Sequence, residues 1–116
     1  MYTSLELSKR IEEFAKTIYP KLKNFPKSEK FSMCSEIKEN IYNLYSHTAR
    51  ANYVKSKRLA YLQESEGYLT TLRFILKLAR ENNYLSFRGY QEYDLKLTEI
   101  SKMLSGYIKS TLTNKE

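Results

Sequence analysis

The chain has 116 residues and a formal charge of +7, with 41% hydrophobic and 28% charged residues, which is enough apolar material for the core of one domain. Its 3 Gly and 2 Pro are too few turn residues for an all-β sandwich or barrel. No apolar run approaches the roughly 18 residues that a membrane span requires. One cysteine, Cys34, excludes an internal disulfide framework and suits a reducing cytoplasm, and one histidine, His47, leaves no Cys/His cluster for zinc. The segment from Met1 to Glu6 lacks a basic stretch followed by an apolar one, so no signal peptide is expected.

In chain order, the first apolar block is Leu7, Ile11, Phe14, Ala15, Ile18, Tyr19 and Leu22, with helical steps of three and four. Thr3 and Glu6 have capping-box spacing at its start. Pro20 is expected to kink or end this helix, because its ring removes a donor and crowds the preceding turn. Asn24-Phe25-Pro26 reads as the first connection, with Pro26 near the first position of the next helix. That second block runs through Phe31, Cys34, Ile37, Ile41, Leu44, Tyr45 and Thr48 and fades between Arg50 and Asn52.

The third block carries Leu59, Leu62, Leu69, Leu72, Leu76 and Ala79, with an interruption at Ser65 or Glu66. Gly67 inside it costs about 1 kcal/mol against alanine unless a close helix contact needs it. Asn82-Asn83 closes this helix, and residues 84–89 form the last connection. Tyr90, Tyr93, Leu97, Ile100, Leu104, Tyr107 and Thr111 then make a heptad seam. The expected fold is all-α: an antiparallel up-down four-helix bundle, with helices near 4–23, 27–50, 54–82 and 87–111. Residues 1–116 are one such domain, with a polar tail from about 113.

No Gly-rich phosphate loop, Walker pattern or zinc signature occurs, so no catalytic residue, cofactor or metal is expected. Cys34 and His47 are about 20 Å apart along one helix, too far for a dyad, and Cys34 reads as a small core residue. The charge is the stronger signal. Residues 14–28 and residues 40–63 carry four cations each and no acid, leaving −1 for the rest of the chain. Arg50, Lys55, Lys57 and Arg58 gather at the turn between the second and third helices, and Arg73, Lys77 and Arg80 form a stripe at i, i+4, i+7. Lys9, Lys16 and Lys23 repeat every seven residues along the first helix. Such cations can track phosphates, and nucleic acid is the commonest cytosolic polyanion. Solvated lysine-rich faces have the same pattern.

The chain also holds 11 Tyr and 5 Phe but no Trp. Tyr45, Tyr93 and Tyr107 fall on apolar stripes and are expected in the core. Tyr2, Tyr42, Tyr53, Tyr61, Tyr68 and Tyr84 fall off the stripes or near turns. Aromatic surface in excess of what one core needs points to association between subunits.

Several longer words carry a resemblance. Tyr19-Pro20-Lys21-Leu22, Phe25-Pro26-Lys27-Ser28-Glu29-Lys30-Phe31, and Cys34 with Glu36-Ile37-Lys38-Glu39 resemble the four-helix-bundle family of rRNA-intervening-sequence proteins. Within it they are similar to the accessory variability determinants of diversity-generating retroelements. Lys57-Arg58-Leu59 with Tyr61-Leu62-Gln63-Glu64, and Leu95-Lys96-Leu97-Thr98-Glu99-Ile100 leading to Gly106-Tyr107-Ile108, extend the likeness over roughly residues 10–110. The rRNA-intervening branch ends its second helix with an Asn-Ile-Ala-Glu-Gly type segment. Thr48-Ala49-Arg50-Ala51-Asn52 stands here instead, which favours the retroelement branch. The resemblance implies a closed ring or barrel of five bundles with a basic surface. It implies as partners a reverse transcriptase and its template RNA, in a complex that makes error-bearing cDNA, with the polymerase chemistry belonging to the partner. The alternative is a protein-binding helical scaffold of the rRNA-intervening type.

Overall fold

The structure, a computed structural model, describes residues 4–113. Thr3 of the expected capping box, Tyr2 and the tail from 114 lie outside the described residues. Four α-helices account for nearly all of the rest: α1 (Ser4–Leu22), α2 (Met33–Tyr53), α3 (Arg58–Glu81) and α4 (Phe87–Thr113). No strand occurs among the described residues. Each helix packs on its neighbours in sequence, and α4 closes the square against α1, in a body measuring 50 × 25 × 20 Å. Short connections force the up-down course.

The core follows the four apolar stripes. Leu7, Ile11, Phe14 and Ile18 of α1 meet Ile37, Ile41 and Leu44 of α2, Leu62, Leu69, Leu72 and Leu76 of α3, and Tyr93, Leu97, Ile100 and Leu104 of α4, all buried. Phe14 and Tyr93 fix the α1–α4 contact edge-to-face, with ring centroids 6.0 Å apart. Cys34 is buried as expected, its thiol facing the Leu22 carbonyl at 3.7 Å. That burial raises its pKa, which disfavours thiolate chemistry.

The helix ends have local causes. At the end of α3, Asn83 takes the left-handed conformation (φ 63°), Tyr84 N–H bonds to Ala79 O at 2.8 Å and Asn83 N–H to Arg80 O at 3.0 Å. This is a Schellman closure with asparagine in the glycine position. Ser86 caps α4 by accepting the Gly89 N–H at 3.0 Å. Pro20 lies within the last turn of α1, two residues before its end at Leu22.

Several expectations need correction. The second helix does not begin beside Pro26: a 3₁₀ turn at Lys27–Glu29 intervenes, and α2 starts at Met33. Ser32 donates to Glu29 Oε1 at 2.7 Å and Tyr84 donates to Glu29 Oε2 at 3.1 Å. These bonds hold the Glu29 carboxyl below its ordinary pKa and fasten the first connection to the last. Phe31, expected on the inner stripe, precedes α2 and is 90% exposed. Helix 2 also runs on to Tyr53, and α3 starts only at Arg58, after a second 3₁₀ turn at Lys55–Lys57. Ser65 does not interrupt the third stripe: it is fully buried, its hydroxyl bonded to Tyr61 O at 2.8 Å. Tyr45 is exposed and Tyr107 half-buried, whereas the off-stripe Tyr61, Tyr68 and Tyr84 pack half-buried against the core.

Gly67 lies on the exposed face of α3, and a Cβ built there meets no atom within 4 Å. No close packing requires the glycine. Gly67→Ala should therefore raise the stability to urea by about 0.5–1 kcal/mol. Equal or lower stability in equilibrium unfolding would show that the backbone there needs glycine.

Candidate nucleic-acid interface

The reversal between α2 and α3 takes only Val54 and the 3₁₀ turn Lys55–Lys57. Val54 N–H closes α2 on Arg50 O at 2.9 Å, and Lys57 N–H turns back to Val54 O at 3.0 Å. The last carbonyls of a helix lack intrahelical donors and form the negative end of its dipole. Arg58 supplies both the donors and the opposite charge. Its Nε donates to Ala51 O at 2.7 Å and its Nη2 to Asn52 O at 3.2 Å. The same guanidinium lies 5.9 Å from the Tyr107 ring centre, and Tyr107 donates its hydroxyl to Asn52 Oδ1 at 2.9 Å. One side chain thus ties together the end of α2, the start of α3 and the last turns of α4.

Around this clamp Arg50, Lys55 and Lys57 remain exposed. Among the described residues none of the three makes an ion pair. The flanking acid Glu64 faces His47 Nε2 at 3.2 Å. The turn therefore presents three free cations on a tightly held backbone, which suits phosphate contact without base reading. Arg58 differs from them in having its Nε and Nη2 engaged inside the fold.

The second expected group is divided. Arg73 Nη2 donates to Asp94 Oδ1 at 3.1 Å and Thr98 Oγ1 at 2.9 Å, so it bridges α3 to α4. Arg80 stacks over Phe87 at 5.5 Å and its Nε is enclosed. Only Lys77 of this stripe is exposed. Arg73, Lys77 and Arg80 follow Arg58 by 15, 19 and 22 positions along α3, so they lie about 22 to 33 Å away, toward the other end of the bundle. The seven candidates do not form one patch. Sequence reasoning missed Asn52 and Tyr107, whose part depends on three helices meeting.

Three comparisons bear on this bundle. The bAvd-like family model matches residues 5–111. A solved structure of a protein of unknown function from the S23 ribosomal protein family of Bacteroides thetaiotaomicron VPI-5482 superposes with a TM-score of 0.82. The two chains are 20% identical, and the match covers 91% of this chain and 97% of that one, a likeness of fold. No curated protein matches the chain.

The clamp distinguishes Arg58 from its neighbours in a stability measurement. Arg58→Ala should cost about 1–3 kcal/mol in urea unfolding, because it removes two charge-assisted bonds to helix-end carbonyls. Lys55→Ala and Lys57→Ala should stay within about 0.5 kcal/mol. Equal effects at all three positions would contradict this division of roles.

Proposed function

We propose a function from one premise: the chain belongs to the bAvd-like family. It is a non-enzymatic accessory protein of a diversity-generating retroelement, acting in the cytoplasm. It binds the reverse transcriptase and the template RNA and supports mutagenic cDNA synthesis. Nucleotidyl transfer belongs to the partner. The observation that carries this reading is the acid-free reversal at the α2–α3 end, where Arg50, Lys55 and Lys57 are exposed and unpaired among the described residues. Lys77 is a subsidiary contact on the other half of α3. No helix among the described residues is long and apolar enough to cross a membrane.

Phosphate neutralisation by such a surface releases counterions, so affinity falls with salt and depends little on base sequence. Reversing Arg50, Lys55 and Lys57 to Glu, with Arg58 retained, should weaken binding of single-stranded RNA at least tenfold at physiological salt. The salt slope should become shallower by about 0.7 for each phosphate that the variant no longer neutralises. Helicity and oligomer size should not change. RNA binding as tight as the parent's would remove this turn from the interface.

The assembly proposed is a closed homopentamer. Support comes from the family and from aromatic surface that the bundle itself leaves uncovered: Phe31, Tyr53 and Phe74 are 90%, 86% and 59% exposed. In a ring the basic turns repeat about an axis, and weak contacts add through effective concentration. Light scattering at micromolar concentration should give a mass about five times the 13.8 kDa chain, and a monomer would refute the assembly. A second reading is a protein-binding scaffold of the rRNA-intervening type; the likeness to the S23-family protein of unknown function is one of fold and is shared by both readings. A reverse-transcriptase reading frame beside the gene supports the first reading, and a location within a ribosomal RNA operon supports the second.

A further inference from the structure

Two adjoining hollows lie along the seam between α1 and α2, away from the basic turn. One part is an apolar hollow of about 390 Å³, floored by Ile11, Ala15 and Ile41 and walled by Tyr42 and Tyr45. Adjoining it is a groove of about 330 Å³ lined by Tyr19, Cys34 and three lysines, Lys23, Lys30 and Lys38. Tyr19 and Tyr42 join the two, with ring centroids 6.4 Å apart. Lys38 Nζ stands 5.5 Å from the Tyr19 ring centre, so cation and aromatic faces are already interleaved.

The cations continue beyond the groove. Lys9 and Lys16 of α1 are exposed, with Glu12 and Glu13 between them, and exposed Lys23 follows the end of α1 at Leu22. Among the described residues Glu12 is the only acid lining either hollow. Its place at the apolar end repels phosphate from there and leaves the lysine end for it. An apolar hollow with tyrosine walls, open to water, suits a flat ring system. A lysine groove continuous with it suits the phosphate attached to that ring.

We propose that the α1–α2 seam binds single-stranded nucleic acid, with bases against Tyr42 and Tyr45 and phosphates on Lys23, Lys30 and Lys38. Duplex is disfavoured, because its bases are already stacked and paired and present no free π face. The seam shares with the proposed function only the premise that the chain meets nucleic acid. It lies on a different surface from the α2–α3 turn and reads strandedness, which a phosphate contact alone does not.

The test measures affinity of the full chain for a 12-nucleotide single-stranded RNA, the same sequence as duplex, and adenosine monophosphate. The parent should bind the single strand at least tenfold tighter than the duplex. Tyr42→Ala changes a surface residue and should lower single-strand affinity about fivefold or more, with the salt slope unchanged. Lys23→Glu with Lys38→Glu should lower both affinity and slope. Saturable binding of adenosine monophosphate that both variants weaken in step with the strand would make the site a free-nucleotide pocket and overturn the strand reading. If seam variants bind within twofold of the parent while reversal of the turn charges abolishes binding, the seam proposal fails and the turn stands. If seam variants lose affinity and the turn variant does not, the converse holds. A change of oligomeric mass in Tyr42→Ala without loss of RNA affinity would make the seam a subunit contact and overturn the proposal.

Discussion

A guanidinium at the start of α3 holds the end of α2, and the geometry of the candidate interface depends on it. Arg58 contributes its charge where the α2 dipole is negative and its N–H groups where the helix leaves carbonyls without donors. Because Tyr107 lies under the same guanidinium and reaches Asn52, the reversal is fixed against α4 as well. The connection can then be as short as one residue and one 3₁₀ turn. Arg50, Lys55 and Lys57 need no internal partner and stay outside. A surface of this kind pays little ordering entropy in its backbone when it meets a polyanion.

The fold was largely legible in the sequence because hydrophobic periodicity and helix-end chemistry are local. The heptad seam from Tyr93 through Leu97, Ile100 and Leu104 is buried as spaced, and Asn82-Asn83 ends α3 by a mechanism that its residue types announce. The start of α2 was not legible. Phe31 has the right spacing to extend the apolar stripe, but the hydrogen bonds of Glu29 to Ser32 and Tyr84 hold the chain in a 3₁₀ turn and leave Phe31 in solvent. Tyr84 is 55 residues from Glu29 in the chain, and no local pattern signals that partner. Tyrosine was misplaced for a related reason: its apolar ring and polar tip allow half-burial at helix edges, where Tyr61, Tyr68 and Tyr107 sit.

The candidate site was legible as charge and illegible as geometry. Counting cations between Asn40 and Gln63 locates the turn, yet it cannot separate a structural arginine from a free one. Arg58, Arg73 and Arg80 all have partners on another helix, and each is an arginine with a planar donor fork or stacking face. The exposed members are Arg50 and the lysines Lys55, Lys57 and Lys77. The acid-free stretch of residues 14–28 proved equally informative: its Lys23 lines a groove that forms only when α1 and α2 pack with tyrosines between them.

The central claim is that this bundle is an adaptor for nucleic-acid synthesis carried out by another protein. The most direct measurement is cDNA synthesis on a retroelement template RNA by the reverse transcriptase proposed as the partner, with and without the purified chain. The account predicts cDNA only when both proteins are present, and its loss when the polymerase's own catalytic carboxylates are replaced. Equal cDNA yield without the chain, or nucleotide incorporation by the chain alone, would contradict it.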